Sequence, residues 1–327
     1  MRNILVTGGA GFIGSHLVDC LLSEGGWRVT VVDDFNNFYS PAIKHINVQK
    51  HLLNPDFRLC EVGICNINAL RQIFSDGEFD CIVHLAARAG VRPSIKEPLL
   101  YSEVNVQGTL NLLELAREFQ VRQFVFASSS SVYGINTKVP FSEEDSIARP
   151  ISPYAATKAA GELLCHTYSH IYNIRCVCLR FFTVYGARQR PDLAIHKFTQ
   201  LISENEPITV FGDGTTRRDY TYIDDIISGV RAAVDYDQSE YEIVNLGESR
   251  TVELSELISL LEKVLNKKAI INRMPIQTGD VPQTFADVTK ARQLLGYNPQ
   301  TPIELGITHF VEWFFSQNQA NLKNTNN

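Results

Sequence analysis

The 327-residue chain carries 30 Lys and Arg against 36 Asp and Glu, a formal charge of −6, with 44% apolar and 20% charged residues. Such a length supports a large two-lobed domain with an ample core, and the composition is ordinary for a soluble globular protein. An acidic chain argues against a general nucleic-acid binder, though not against a local basic patch for phosphate.

Seven cysteines, at 20, 60, 65, 81, 165, 176 and 178, follow neither metal-ligand nor disulfide-framework spacing. They fit buried thiols in a reducing compartment, with Cys176 and Cys178 on one face of a strand. A strand-like segment, residues 2–7, opens the chain, and no run reaches about 18 apolar residues. The expectation is no signal peptide, no membrane anchor and a cytoplasmic protein.

In chain order, apolar and β-branched runs predict strands at 4–6, 29–32, 81–85, 124–127, 176–179 and 243–246. Helical patterns lie between them at 12–23, 105–118 and 153–172, then at 224–235 and 255–264. Strands without polar alternation, separated by helices, indicate a parallel sheet covered on both faces. The predicted class is therefore α/β, a doubly wound parallel sheet of Rossmann type with a smaller mixed α/β substrate-binding lobe. The expected division is 1–180 for the nucleotide domain, with about 222–248 returning to it, and 181–221 plus 249–316 for the second lobe. A polar, Asn-rich stretch at 317–327 reads as a disordered tail.

The first turn reads Thr7-Gly8-Gly9-Ala10-Gly11-Phe12-Ile13-Gly14. It follows a strand and opens a helix, the context a dinucleotide-binding turn needs. Gly8 permits the tight turn, Gly11 lets a pyrophosphate approach, and Gly14 allows close helix packing. Helix N–H groups then face the phosphate. Asp33, 19 residues after Gly14 at the end of the second strand, is placed to accept from ribose hydroxyls and repel a 2′-phosphate, favouring NAD over NADP.

Ser152-Pro153-Tyr154-Ala155-Ala156-Thr157-Lys158 starts a helix with Ser152 as N-cap and Pro153 at its first position. Tyr154 and Lys158, at i and i+4, then share one face. A cation about 4 Å from the phenol, at an effective dielectric of about 20, is worth on the order of 4 kcal/mol, or roughly three pKa units. The pair thus reads as a general base and its activator. Upstream, 124–127 runs into Ser128-Ser129-Ser130-Ser131, four hydroxyls expected in the crevice at a strand's carboxyl end.

These elements, GGAGFIG, HLAA, SSSSVYG, YAATK and RRDYTYIDD in order, resemble the extended short-chain dehydrogenase/reductases, within the NAD-dependent epimerase/dehydratases. The resemblance implies Ser129, Tyr154 and Lys158 as catalytic triad. It implies an NAD site of Gly8, Gly11, Phe12, Ile13, Gly14, Asp33, Asn37, Ile64, Ala86, Ala87, Asn105, Tyr154 and Lys158. For a UDP-sugar it implies Arg218 on the diphosphate, Asp280 on the uridine ribose and Phe211 against uracil. Ser130, Thr183 and Arg190 are candidates for a sugar carboxylate, with Arg188 and Arg92 as alternatives. Gly63, Thr183 and Gln277 depart from the UDP-galactose 4-epimerase pattern. These variants resemble the UDP-glucuronate 4-epimerases.

The implied reaction is 4-epimerisation of a UDP-sugar through a 4-keto intermediate, UDP-glucuronate giving UDP-galacturonate, in a homodimer serving polysaccharide biosynthesis. UDP-glucose and UDP-N-acetylglucosamine are the alternatives, with Thr284 leaving room for an N-acetyl group. Dehydratases and decarboxylases of the family place acids where this chain has Ser130 and Ser131, which cannot serve as acid–base groups near neutral pH.

Overall fold

The computed structural model describes residues 1–276 and 281–324, with side chains described to residue 317. β1 (Arg2–Thr7) runs through the glycine turn into α1 (Phe12–Glu24), and β2 (Trp27–Asp33) returns parallel to β1. There follow α2 (Pro41–Gln49), β3 (Phe57–Glu61), α3 (Ile67–Gly77) and β4 (Cys81–His84). Short helices α4 (Val91–Lys96) and α5 (Pro98–Ser102) lead through a π-turn, Glu103–Gln107, into α6 (Gly108–Glu118). β5 (Gln123–Ser129), α7 (Pro153–Tyr172) and β6 (Arg175–Phe181) complete the first lobe's own run.

Among the described residues, seven parallel strands form one sheet in the order β11-β6-β5-β4-β1-β2-β3, where β11 (Tyr241–Leu246) comes from far along the chain. The order reverses between β1 and β4, which opens a crevice at the strands' carboxyl ends, the usual ligand position of such sheets. Strand interiors are wholly buried (Ile4, Leu5 and Val6 at 0% exposure), as expected for a sheet covered on both faces.

The second lobe is built from β7 (Thr183–Tyr185), α8 (Ala194–Ser203), β8 (Ile208–Phe211), β9 (Arg217–Arg218) and β10 (Tyr220–Tyr222). After β10 the chain enters α9 (Ile223–Val234), which packs on α1, and then β11. β12 (Val252–Glu253), α10 (Leu254–Leu265), β13 (Ile271–Met274), α11 (Thr289–Leu295) and α12 (Ile303–Asn324) follow. Three small two-stranded pairs, β7–β10, β9–β12 and β8–β13, replace the continuous sheet here.

Several elements differ from the sequence expectations. β3 is the sheet's edge strand, with a mixed burial pattern, so it shows no continuous apolar run. α2 and α3 were also not anticipated; α3 is capped by Asn66, which accepts from the Ala69 amide at 3.1 Å. The segment expected as one helix from 105 begins as the π-turn. α12 continues to Asn324, where disorder was expected from 317. No helix among the described residues is long and apolar enough to cross a membrane. Cys81, Cys165, Cys176 and Cys178 are buried, whereas Cys20, Cys60 and Cys65 are only partly so; all seven are free thiols.

Candidate active site

One cavity follows the carboxyl edge of the sheet from Gly8, Gly11, Phe12, Ile13 and Gly14 past Asp33 to Tyr154, Lys158 and Arg190. Its glycines are there for space. Gly8 has φ +71°, and a Cβ on it would lie 2.7 Å from the Ala86 amide nitrogen. A Cβ on Gly14 would lie 2.2 Å from the Gly8 carbonyl oxygen. A Cβ on Gly11 would meet only the Gly8 oxygen at 3.2 Å and the Tyr39 hydroxyl at 3.9 Å, so the backbone at the start of α1 is left accessible, as a pyrophosphate requires. Ile64, Ala86 and Ala87 lie on the same wall.

Asp33 ends β2 with its carboxylate held by the amides of Ala10 (3.2 Å) and Phe35 (3.0 Å). Burial pushes its pKa up, and the neighbouring ammonium of Lys44, 3.9 Å away, opposes that. Asn36, rather than Asn37, lies on the cavity wall; Asn37 is exposed. Gly63 also lines the wall, and a Cβ there would meet only the Asp34 Cβ at 3.7 Å, so the absent Asp leaves open space beside the cavity. Asn105 stands behind the wall: it accepts from the Arg88 amide at 2.8 Å and donates to the Arg88 carbonyl (2.9 Å) and Thr157 (3.0 Å). Its amide therefore fixes the HLAA-Arg88 turn against α7 from a buried position, and does not line the cavity itself. His84 bridges Thr7 (2.8 Å) and Thr109 (2.9 Å), and burial pushes its pKa down to about 3. It is a neutral structural residue.

The catalytic candidates meet at the end of β5 and the start of α7. Ser152 caps α7, accepting from the Ala155 amide at 3.1 Å. Burial pushes the Tyr154 phenol above its ordinary range; the Ser129 hydrogen bond and the Arg190 charge oppose this. Lys158 is 4% exposed and donates to the Ala127 carbonyl at 2.7 Å; burial pushes it down to about 8. Ser129 and Arg190 thus oppose the effect of burial on Tyr154, and the Lys158 ammonium, one turn along the same helix, donates to the end of β5. Of the four serines, Ser129 accepts from the Ser131 amide at 3.2 Å and donates to the Ser131 hydroxyl at 3.1 Å. Ser128 lies on the cavity wall, but its hydroxyl donates to the buried Glu162.

Arg190 is paired with Asp192 through two bonds (2.9 and 2.8 Å) and lies 5.2 Å over the Phe38 ring. Arg188 does not share the cavity wall and pairs with Asp19 of α1 at 2.7 Å. Arg92 covers the Phe211 ring at 4.7 Å, joining α4 to β8. Arg218 donates to the Arg217 carbonyl at 2.8 Å. Its loop is pinned by the adjoining Asp219, which is wholly buried and accepts from Glu248 (2.7 Å), Ser249 (3.1 Å) and Ala286 (3.0 Å) amides. Thr284 is buried and accepts from the Asp219 amide at 3.3 Å. Ser130, just after β5, and Thr183, the first residue of β7, are partly exposed. Asp280 and Gln277 lie outside the described residues.

The sequence reading missed Lys44, Asn36, Phe38, Tyr39 and Arg88 on the cavity wall. Lys44 donates to the Asn36 carbonyl at 3.0 Å and is 4% exposed. No local pattern marks a lysine on a helix following the Asp33 loop; the only usable signal is the aromatic pair Phe38-Tyr39 in that loop.

A profile of the family described as GDP-mannose 4,6 dehydratase matches residues 5–310. The chain is 42% identical over 314 residues to a UDP-glucuronate 4-epimerase of Thermodesulfobacterium geofontis, covering 96% of each. It belongs to the NAD-dependent epimerase/dehydratase family. Its fold matches the crystal structure of a Bacillus cereus UDP-glucuronic acid 4-epimerase bound to UDP-glucuronic acid and NAD, with TM-score 0.91 and 38% identity over 97% of this chain and 100% of that one. A Thermotoga maritima UDP-glucose 4-epimerase with UDP-glucose gives TM-score 0.89 and 34% identity over 97% and 99%.

Proposed function

We propose that the protein is an NAD-dependent UDP-sugar 4-epimerase that converts UDP-glucuronate to UDP-galacturonate. One observation carries the reading: Tyr154 and Arg190 line the same cavity as the glycine turn and Asp33, close enough that the arginine's charge favours the phenolate. A base at the sugar's C4 and a cation for its C5 carboxylate therefore sit together beside a dinucleotide cradle.

NAD supplies reversible hydride acceptance at C4. Tyr154 takes the 4-hydroxyl proton, helped by Arg190 and by the Ser129 hydrogen bond, which also steadies the sugar oxygen. The 4-keto sugar turns about its diphosphate linkage, held by Arg218, and Tyr154 returns the proton when the other face is reduced. A 4-keto hexuronate is a β-keto acid that loses CO2 readily, so its carboxylate needs a charged, hydrogen-bonded setting. Arg190, Ser130 and Thr183 supply it; the pairing of Arg188 with Asp19 favours Arg190 over Arg188 for this role. Ser130 and Ser131 offer no acid for dehydration.

The test is Arg190→Ala with three ligands. A charge-assisted contact is worth roughly 1.5–3 kcal/mol, about 10- to 200-fold in affinity. UDP-glucuronate should weaken by that factor, while UDP-glucose and UDP hardly change. Equal losses for all three would move Arg190 to the phosphates and remove the choice of glucuronate.

The same reading makes the enzyme a cytoplasmic homodimer joined through α6 and α7. Leu112, Leu113 and Leu115 of α6 face the protein's own core, but Leu163 of α7 is 66% exposed. Light scattering should give about twice the 36.7 kDa chain mass; a clean monomer at micromolar concentration would refute it.

A further inference from the structure

Between β7 and α8 the chain reads Gly186-Ala187-Arg188-Gln189-Arg190-Pro191-Asp192. Two arginines two positions apart leave it in different directions. Arg188 has φ +61°, a left-handed conformation that a non-glycine side chain adopts only when its surroundings hold it there. With the chain reversed at that point, Arg190 lines the cavity beside Tyr154, whereas Arg188 reaches α1.

The Arg188 side of the loop is fastened to α1, the helix whose first turn forms the cofactor cradle. Arg188 donates to the Asp19 carboxylate at 2.7 Å, with the two side chains 18% and 23% exposed. One turn earlier on the same helix, His16 donates through Nε2 to the Ala187 carbonyl at 2.9 Å. Burial keeps that imidazole neutral. Within the loop, Gln189 donates to the Val184 carbonyl at 3.1 Å, and His196 donates through Nδ1 to the Gln189 carbonyl at 2.7 Å. Asp19 is itself held by Lys50 (2.9 Å) and His51 (2.7 Å) from the turn after α2. It is not part of the cavity wall, so it touches neither cofactor nor sugar.

We infer that Asp19 is a positioning residue for the substrate arginine: through Arg188 it anchors the 186–192 loop to the cofactor helix and so aims Arg190 at the carboxylate of the hexuronate. The inference rests on the assignment of Arg190 to that carboxylate. Its physical basis is that a planar guanidinium discriminates only when held in register with its partner, and displacements near 1 Å are costly in a built site. Loss of the anchor should therefore reduce discrimination between UDP-glucuronate and UDP rather than abolish binding.

The experiment compares dissociation constants for UDP-glucuronate and for UDP on the NAD-loaded full chain, in Asp19→Asn, Arg188→Gly, the double variant and Arg190→Ala. Asp19→Asn should weaken UDP-glucuronate relative to UDP by about 3- to 10-fold, the scale of a partly buried ion pair acting indirectly. Arg188→Gly should do the same, although glycine suits φ +61° better than arginine. The double variant should be no worse than Arg188→Gly alone, because both changes cut one link. Should Asp19→Asn lower Tm, Arg188→Gly decides the matter, since Asp19 then keeps Lys50 and His51. An unchanged ligand ratio in Arg188→Gly, with Arg190→Ala still selective, overturns the anchor and leaves the carboxylate reading intact. Equal weakening of both ligands by Arg190→Ala overturns the carboxylate reading itself, and the positioning role with it.

Discussion

Glu162 stands one helical turn beyond Lys158 on α7 and is buried beneath the end of β5. Its carboxylate takes two bonds from Arg180 (2.9 and 2.8 Å) and one from the Ser128 hydroxyl. Both side chains of the ion pair are 2% exposed. Glu162→Ala would leave the Arg180 guanidinium with the Glu143 carbonyl at 3.5 Å and the face of Tyr133 at 4.8 Å. Neither neutralises a buried charge, and removing one partner of such a pair typically costs about 3–5 kcal/mol. That is a large part of the roughly 5–15 kcal/mol that holds a domain folded. Urea unfolding should show the loss as a lower midpoint with an unchanged slope. A paired control, Glu162→Leu with Arg180→Met, removes both charges and should recover most of the stability. Since Ser128 adjoins Ser129, turnover should also fall in the single variant more than KM changes. A loss below about 1 kcal/mol in Glu162→Ala, or no recovery in the double variant, would refute the claim that the buried charge is what matters.

Tyr154→Phe should lower turnover by at least about 10²-fold while calorimetry finds UDP-sugar binding nearly unchanged; near-normal turnover would dismiss the tyrosine as base. Lys158 is pushed down from 10.5 to about 8 in the folded chain, so the unfolded chain binds more protons between those values and the buried ammonium's destabilisation is full below pH 8 and fades towards 10.5. Lys158→Met should accordingly raise Tm at pH 7, by an amount that shrinks by pH 10, and a pH-independent difference would contradict this. His84, pushed from 6.5 to about 3, gives the same sign in a lower window: between those values only the unfolded chain gains a proton as pH falls, so stability drops by about 1.4 kcal/mol per pH unit. A His84→Gln variant should lack that share of the acid slope in denaturant titrations; an unaltered slope would show that the histidine is protonated in the folded chain.

The parts of this molecule that could be read from sequence are those whose cause is local. A glycine that must sit at φ +71° against Ala86 announces itself in the first turn, and a Tyr–Lys pair four residues apart on a capped helix needs no tertiary information to share a face. Buried parallel strands likewise declare themselves as apolar runs, which is why the edge strand Phe57–Glu61, with partly exposed positions, did not. What stayed hidden depends on direction. Ser128 and Ser129 are neighbours, yet one hydroxyl supports Tyr154 and the other feeds a buried ion pair. Lys44 reaches Asp33 because α2 folds back over the Asp33 loop, a placement that spacing alone does not encode.

The two arginines of the 186–192 loop show the same limit and its functional weight. From sequence, Arg188 and Arg190 are equivalent candidates for an anionic group; around a left-handed residue between β7 and α8, one of them pairs with Asp19 of α1 and the other lines the cavity. The phenol follows from that choice. Burial alone would hold Tyr154 protonated at neutral pH, and the Lys158 ammonium is occupied with the Ala127 carbonyl. The Arg190 charge that opposes burial at Tyr154 is the same one proposed to meet the substrate carboxylate. When a carboxylate pairs with Arg190, part of that positive charge is neutralised, and the phenolate becomes less favoured unless the nicotinamide's own charge takes over. Base activation would then be tied to the oxidation state of the cofactor. Bound NAD would give the phenolate a second cation and NADH would not, so Tyr154 would accept the 4-hydroxyl proton as hydride leaves the sugar and hold it until hydride returns to the 4-keto carbon.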